Sequence, residues 1–498
     1  HMGWFLGIDS STTATKALLM DAEGSVIAVG RSTYGFETPH PLWSEQDPHL
    51  WWSATRSAIA DVMGQAGVSP GDVDGVGLTG QMHGLVLLDE HVEVLRPAIL
   101  WNDQRTQTQC DAMRQRIGRE QLIAVSGNDA LTGFTAPKIL WVADNEPDVF
   151  DRVAHVLLPK DYVRLMLTGD HATDAAGGSG TILFDLARRT WSDRLASDLG
   201  IPRSWLPDVH EGTQVTGVIS AAASAATGLA EGTPVFGGGG DPAANGVGVG
   251  AVVPGIVAMS IATRGVVLAP TDHAAIENEG RLQAFCHAVQ GMCHLKGVMM
   301  SSAGSLEWFR RTLAPDRTYQ ELDALAEAVA AGSNGLQFLP YLTGERTPHP
   351  DPTARGAFVG LTVRHDLGHL TRAVLEGVAF GLRDSLELVR AATSVDEVRA
   401  SGGGAASDVW LRIIADVMGT PVRVVGTPEA AAHGAALLAA TGFGAFTSVH
   451  EATDAAVVVG PSIEPTSDVA TYDDAYAIYR SLYPSLRSTF PGLASLDG

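Results

Sequence analysis

The sequence predicts an α/β protein built from two related lobes. Glycine-rich stretches at residues 237–240 and 402–404 each join a β-prone run to a helical run, a junction that α/β folds use often. A strand, a hydroxyl-rich turn and a second strand occur around residue 9 and again over residues 256–269. Two similar lobes would explain this repeated pattern.

Length and composition set the limits of the prediction. A chain of 498 residues is too long for a single hydrophobic core, since a domain usually has roughly 100–200 residues. The boundary between the two predicted lobes is placed between residues 252 and 253, before a hinge at Val253, Pro254 and Gly255. Three cysteines are too few to stabilise such a chain, which favours a reducing cytoplasm. The first residues do not form a signal peptide, and His1 and Met2 are typical of a cloning remnant.

Charge and hydrophobicity exclude several partners. The chain has 33 basic and 56 acidic residues, a formal charge of −23, which argues against nucleic acid or an anionic membrane as a partner. No apolar run is long enough for a membrane span. A phosphate ligand is therefore expected to be held by backbone amides, helix N-termini and a metal, with no basic patch.

The N-terminal strands end in polar turns. Strands are predicted at residues 4–8, 16–20 and 26–30 as an antiparallel meander, with Asp9 followed by hydroxyl side chains at its first bend. Such an aspartate can hold Mg²⁺ through water while turn amides face phosphate, or it can form an ordinary Asx turn. Both interpretations fit the local sequence.

Asp241 follows the glycine run at the start of a helix. It is predicted as the N-cap, with Pro242 at the first helical position and the glycines letting backbone approach a ligand. An ionised carboxylate in such a cleft is a candidate general base. An ordinary capped turn is the commoner meaning of this pattern.

Two further turns carry candidate ligand contacts. Residues 75–80 match GxGxxG formally, but residues 81–88 read as turn and strand, so a dinucleotide site is rejected. Met82 and His83 lie in that turn, where packing is the ordinary role and sugar contact the alternative. Trp101 and Asn102 follow a short strand and suit a polyol, or they cap a helix from Gln104.

The remaining segments are mostly helices and loops. Lys138 and Trp141 are expected at the surface, and residues 172–181 as a mobile loop or a ligand-facing turn. The two Cys-His pairs from Cys286 to His294 are not a zinc site, because neighbouring strand residues point to opposite faces. Helices are predicted at residues 48–63, 137–145, 301–310, 369–386, 407–418, 430–440 and 473–483, the last stopped by Pro484.

Longer motifs resemble a known family. Residues 133–141 and 360–376 resemble the two signatures of the FGGY carbohydrate kinases, and the similarity runs from Gly7 to about Tyr483. The resemblance implies the two-lobed actin-like ATPase fold, which is ribonuclease H-like, with a cleft between the lobes. Residues 41–48, 80–84, 98–103 and 344–349 resemble the family members that phosphorylate D-xylulose with ATP.

The resemblance also implies residue roles. Asp241 takes the proton of the sugar's C5 hydroxyl, and Asp9 positions Mg²⁺. The N-terminal lobe binds sugar and the C-terminal lobe binds ATP, and dimers are common among similar kinases. The sugar contacts implied are Met82, His83, Trp101 and Asn102. The nucleotide and phosphate contacts implied are Thr12, Thr13, Thr263, Trp308, Gly403, Gly404 and Ser407.

Two departures from the family pattern leave alternatives open. Pro242 replaces a common Asn or Gln, and Arg264 replaces a common serine beside the phosphates. A kinase for another ketose or an alditol therefore remains an alternative, as does a sugar-binding protein of this fold without catalysis.

Overall fold

Two six-stranded mixed sheets organise residues 3–496, which are the residues that the computed structural model describes. His1 and Met2 lie outside them. The strands are β1 (Trp4–Ser10), β2 (Ala14–Asp21), β3 (Val26–Thr33), β4 (Glu45–Gln46), β5 (Gly75–Gly80), β6 (Val86–Leu88), β7 (Ala98–Ile99), β8 (His155–Leu157), β9 (Ala172–Asp174), β10 (Phe184–Asp185), β11 (Thr190–Trp191), β12 (Asp208–His210), β13 (Val215–Val218), β14 (Pro234–Gly240), β15 (Gly255–Ile261), β16 (Gly265–Thr271), β17 (Gln283–Cys286), β18 (Cys293–Met299), β19 (Gln337–Leu339), β20 (Ala357–Val359), β21 (Val395–Ser401) and β22 (Val422–Val424).

Helices cover and connect the two sheets. They are α1 (Pro48–Ala66), α2 (Gln107–Ile117), α3 (Arg119–Ser126), α4 (Thr135–Asn145), α5 (Pro147–Phe150), α6 (Pro159–Thr168), α7 (Ala175–Ser179), α8 (Asp193–Asp198), α9 (Ala221–Thr227), α10 (Asp241–Gly248), α11 (Ala303–Leu313), α12 (Tyr319–Glu327), α13 (Leu367–Arg390), α14 (Asp408–Met418), α15 (Ala430–Phe443), α16 (Val449–Ala456), α17 (Val469–Leu486) and α18 (Phe490–Leu496). None of the helices in the described range is long and apolar enough to cross a membrane.

The two sheets repeat one arrangement, as the sequence predicts. The first has the order β13-β14-β5-β1-β2-β3, with β1, β2 and β3 antiparallel and with β5 and β14 parallel to β1. The second has the order β17-β18-β16-β15-β21-β22, with β15 and β16 antiparallel and β21 parallel to β15. Parallel strands end at one edge of each sheet, so the polar turns gather there.

A shared core joins the sheets through α10 and α15. The cluster includes Phe5 from the first sheet, Leu268 from the second and the alanines of α15. A Cβ at Gly7 or Gly77 would overlap a backbone carbonyl of α15. Small residues therefore let α15 lie directly on the first sheet, although it comes from the second half of the chain.

The glycine run before Asp241 serves packing within the protein. Residues 237–240 belong to β14, whereas the sequence predicts an open turn at a ligand. The register of β14 against β5 shifts between Phe236 and Gly239, and Gly238 has φ 65°. A Cβ at Gly238 would overlap the carbonyl of Leu78. The buried Arg164 guanidinium donates to the carbonyl oxygens of Phe236 (2.9 Å) and Gly237 (2.8 Å).

Gly238→Ala is expected to destabilise the protein by about 2–4 kcal/mol, because a rigid backbone clash and a left-handed φ coincide. Urea unfolding measures the change. The matched control is Gly64→Ala in α1, where nothing lies within 4 Å of the added carbon. Gly64→Ala is expected to raise the free energy of unfolding by up to about 1 kcal/mol. A Gly238→Ala protein as stable as the parent would contradict the packing role.

Several local predictions are corrected by burial. Lys138 and Trp141, expected at the surface, are buried in α4. Residues 172–179 form the buried elements β9 and α7, and residues 180 and 181 are buried in the turn that follows. Pro484 does not stop α17, which continues to Leu486 and is followed by α18. The helix expected from Gln104 starts at Gln107.

The two Cys-His pairs lie at the ends of adjacent strands. Cys286 and Cys293 face each other on β17 and β18 as buried free thiols. Within residues 3–496, no group of three or more His, Cys, Asp or Glu side chains could hold a metal ion.

Candidate active site between the two sheets

Asp9 and Asp241 lie at neighbouring strand ends of the first sheet. Ser10 pairs with Gly80 of β5, and Gly80 pairs with Gly240, which directly precedes Asp241. Asp241 is the first residue of α10, and Gly240 is the N-cap, so the prediction that Asp241 caps the helix is wrong by one residue. Its carboxylate is thereby released from capping and can act elsewhere.

The two carboxyl groups share one electrostatic environment. Burial raises the pKa of Asp241 to about 6, opposed by Lys296 and by the backbone amides of Asp241 and Met82. Burial, followed by the charge of Asp241, raises the pKa of Asp9 to about 7. Asp241 therefore ionises first and hinders the ionisation of Asp9. At neutral pH Asp241 is a carboxylate whose proton affinity suits a general base.

Activity that needs this base is expected to rise with pH and level off above about 6, because Asp241 must lose its proton. Below that pH, kcat/KM should fall about tenfold per unit. Rates measured in a constant-ionic-strength buffer from about pH 5 to pH 8 check this. A flat profile across that range would exclude Asp241 as the base.

Met82 and His83 lie in the turn after β5. Met82 is buried, and its side chain occupies the space beside Gly240. His83 has φ 70°, and its Nδ1 lies 2.8 Å from the carbonyl oxygen of Gly180. Burial and Lys296 hold the pKa of His83 well below its usual range, so the ring is neutral. Because a carbonyl only accepts, Nδ1 carries the proton and Nε2 is free to accept from a sugar hydroxyl.

Side chains of α4 hydrogen-bond to the backbone of His83. Its carbonyl oxygen accepts from Thr135 Oγ1 and Lys138 Nζ, each at 3.0 Å. Burial lowers the pKa of Lys138 to about 7. Lys138, which the sequence predicts at the surface, therefore stabilises the turn that carries His83.

Trp101 links the turns of the two sheets. Its Nε1 donates to Thr12 Oγ1 at 2.9 Å, and the Arg264 guanidinium carbon lies 5.8 Å from its ring centroid. Gln46 fixes the same turn by donating to the Thr12 carbonyl oxygen at 2.9 Å. Thr13 is exposed beside it. The first sheet's hydroxyl turn and the second sheet's Arg264 turn therefore face one space.

Several unpaired oxygens lie along the edge of the first sheet. Among the buried side-chain oxygens in the described part of the chain that have no protein hydrogen-bond partner, five lie at this edge or in the turns beside it, on Asp9, Ser10, Thr79, Gln81 and Asn102. Buried polar atoms without partners are costly in a fold. They mark this edge as a place where a polar ligand can bind.

The predicted nucleotide turns of the second half of the chain, at Thr263 and at Gly403 and Gly404, lie at the matching edge of the second sheet. The Thr263 carbonyl oxygen accepts a hydrogen bond from Ser302 N at 2.9 Å. This bond attaches the turn that contains Thr263 to the start of α11. The turn at residues 402–404 packs on Ile261 at the end of β15, while Gly403 has open space on its side-chain face. A flat ring can approach bare backbone there.

Two other residues predicted to contact the nucleotide interact with residues of the protein itself. Trp308 of α11 is half-buried and stacks on Phe338 with ring centroids 6.3 Å apart. Ser407 is the N-cap of α14, since its hydroxyl accepts from Trp410 N at 3.1 Å. Their nucleotide contacts remain predictions.

Comparison with known proteins gives the family. The N-terminal domain of the FGGY family of carbohydrate kinases matches residues 4–248, and its C-terminal domain matches residues 257–443.

The chain belongs to the FGGY family of carbohydrate kinases.

Relatives within this family are similar over nearly their whole length. The chain is 37% identical to the xylulose kinase of Bacillus subtilis strain 168, with 99% of each chain covered. It is 38% identical to the xylulose kinase of Escherichia coli K12, covering 97% of this chain and 99% of that one. The crystal structure of xylulose kinase from Rhodospirillum rubrum superimposes with a TM-score of 0.92 at 34% identity, covering 98% and 99%. The predicted family and fold are confirmed.

The oxygen atoms of the Asp9 carboxylate are suited to binding a magnesium ion in this FGGY kinase. The carboxylate is buried with Oδ1 unpaired, and no backbone amide in residues 3–496 donates to it. The Asx-turn alternative at Asp9 is thereby excluded. Mg²⁺ keeps several waters and binds through one or two carboxylates plus phosphate oxygens, so one such aspartate suffices.

Sequence reasoning singled out Arg264 but missed the two cations Lys296 and Arg346 in this part of the FGGY kinase. Lys296 of β18 acts electrostatically on Asp241, and Lys296 and Arg346 both act on His83. Arg346 and Arg264 in turn act on Lys296. The expectation, drawn from the net charge, that a phosphate ligand is held without a basic patch stays a prediction. A periodicity argument could not find these residues, because they come from distant segments.

Proposed function

We propose that this chain transfers the γ-phosphoryl group of ATP to D-xylulose, giving D-xylulose 5-phosphate, with Asp241 as the general base. The single observation that carries the substrate is the similarity to xylulose kinases along nearly the full length. The Asp241 carboxylate, whose pKa is about 6, supports the chemistry.

The proposed step is an in-line displacement at phosphorus. A bond forms between the C5 oxygen of the sugar and Pγ, while the bond between Pγ and the bridging oxygen of ADP breaks. The hydroxyl proton passes to Asp241, and ADP leaves with the electron pair. Phosphoryl transfer needs mainly positioning and charge neutralisation, and both are available where the two sheets face each other.

The other residues have proposed roles around that step. His83 Nε2, Met82, Trp101 and Asn102 orient the sugar, with the residues up to 252 as the sugar lobe. Asp9 would hold Mg²⁺, and the ion would supply charge neutralisation for the phosphates. The residues from 253 onward bind ATP, with contacts at Thr263, Trp308, Gly403, Gly404 and Ser407. Thr12 and Thr13, from the turn after β1, contact the phosphates from the other lobe. A homodimer stays a prediction that light scattering tests.

A panel of substrates tests the proposal. ADP release is measured with ATP and Mg²⁺ over D-xylulose, other ketoses and alditols, and D-xylulose is expected to give the highest kcat/KM. Preference for an alditol would move the assignment to that substrate. Sugar binding without turnover of any compound would favour the non-catalytic alternative.

A further inference from the structure

Three cations from the second half of the chain lie near one another, and one of them, Lys296, acts electrostatically on Asp241. They are Arg264, Lys296 and Arg346, here called the cationic cluster. Across residues 3–496, no carboxylate oxygen lies within the 4.0 Å of an ion pair from any of the three. Unpaired cations in a chain of net charge −23 are unexpected, because acidic partners are abundant.

Sheet geometry brings the three segments together. Lys296 of β18 pairs with Leu268 of β16, and three residues later Met299 pairs with Gly265, which follows Arg264. The loop that carries Arg346 is attached to the same strand, because Thr347 N donates to the carbonyl oxygen of Val298 at 3.1 Å. The cluster is therefore built by one strand and its two neighbours.

The cluster extends from the sugar residues to the phosphate turns. Lys296 Nζ lies 5.9 Å from the Phe285 ring centroid, and that ring lies 5.9 Å from the His83 ring. At the other end, Arg264 lies over Trp101, which binds the Thr12 hydroxyl. The cations thus follow the path between a sugar at His83 and phosphates at Thr12.

The charges repel one another in the absence of an anion. Burial lowers the pKa of Lys296, and the neighbouring Arg346 and Arg264 lower it further, with Asp241 acting in the opposite direction. Burial and Arg264 likewise lower the pKa of Arg346. An uncharged ketose would not relieve this repulsion, whereas a phosphoryl group would.

We infer that Arg264, Lys296 and Arg346 bind the phosphoryl group while it passes from ATP to the sugar and remains on the product. This inference rests on the proposed function. The cluster neutralises the charge on the equatorial phosphoryl oxygens, which is the contribution that phosphoryl transfer requires from a protein. Lys296 has a second role, since its charge favours the ionised form of the base Asp241.

The test compares Lys296→Met and Arg264→Gln, singly and together, with the parent enzyme. Each single change is expected to lower kcat about 10- to 100-fold, with the KM for D-xylulose within about twofold. Calorimetry should show D-xylulose 5-phosphate binding about tenfold more weakly to each variant, with D-xylulose binding unchanged. The acid limb of the Lys296→Met pH profile should move to higher pH, because the lysine no longer stabilises the Asp241 carboxylate.

Controls separate charge from structure. Lys296→Arg keeps the charge and should recover most of kcat. Arg194→Gln removes a similar charge from α8, where Arg194 is paired with Asp198, and should behave as the parent does. Unchanged kcat and product binding in the double variant, with D-xylulose still phosphorylated, would overturn the inference alone. Failure of the parent to bind or phosphorylate D-xylulose would overturn the proposed function.

A third result would reassign the cluster. If D-gluconate, a sugar acid, is phosphorylated better than D-xylulose and both single variants lose that preference, the cations recognise a substrate carboxylate. That outcome would overturn the phosphoryl assignment.

Discussion

Asp241→Asn is expected to lower kcat by about 1,000-fold or more while D-xylulose binds with nearly the affinity of the parent. The amide has almost the same shape and can still hydrogen-bond to a hydroxyl, but it cannot accept the proton. ADP release measures the first quantity and calorimetry with D-xylulose the second. Equal losses of binding and turnover would indicate that Asp241 positions the sugar and does not serve as the base.

The same variant has an expected effect on stability. Because burial raises the pKa of Asp241 from 3.8 to about 6, the free energy of unfolding of the parent falls as pH rises between these values. The loss is complete above about pH 6 and amounts to roughly 3 kcal/mol. Asp241→Asn does not ionise, so its advantage in Tm should be larger at pH 8 than at pH 4. An advantage that shrinks with rising pH would contradict the burial of this carboxylate.

Asp9→Asn has the second largest expected effect, a fall in kcat of about 100-fold or more together with a raised Mg²⁺ requirement. The parent carboxylate is buried with an unpaired oxygen, and an amide offers one acceptor without charge. Rates measured at increasing Mg²⁺ and fixed ATP check this, and excess Mg²⁺ should restore part of the activity.

Asp21 supplies the matched control for Asp9. It ends the neighbouring strand β2, and its Oδ1 accepts from Glu23 N at 3.1 Å and Ser25 N at 2.8 Å, an ordinary Asx turn. Asp21→Asn should leave the Mg²⁺ dependence unchanged. If Asp9→Asn behaves like this control, Asp9 has no part in metal binding.

Local sequence signals were sufficient for the first three strands, for the turns that carry Asp9 and Arg264, and for the family. Asp9 could be singled out because a buried strand ends in hydroxyl residues, and Asp241 because a glycine run precedes it. These signals depend only on residues close together in the sequence, so they can be recognised without a structure. The meander of β1, β2 and β3 followed from the same alternation of strand and turn.

What the sequence did not reveal depends on contacts between distant segments. The glycines of β14 are required by the carbonyl of Leu78 and by neighbouring loops, and this cannot be distinguished locally from a ligand approach. Lys138 can be buried because its amino group donates to the carbonyl oxygens of His83 and Gly133. The cations beside Asp241 meet only when β16, β18 and the loop at Arg346 come together.

The central claim concerns which sugar oxygen lies beside Asp241. A crystal structure of the parent enzyme with D-xylulose, Mg²⁺ and a non-hydrolysable ATP analogue measures it directly. The predicted result places the C5 oxygen within hydrogen-bonding distance of the Asp241 carboxylate and about 3–3.5 Å from Pγ. A complex in which Asp241 contacts no sugar hydroxyl, or in which a different hydroxyl faces Pγ, would contradict the account.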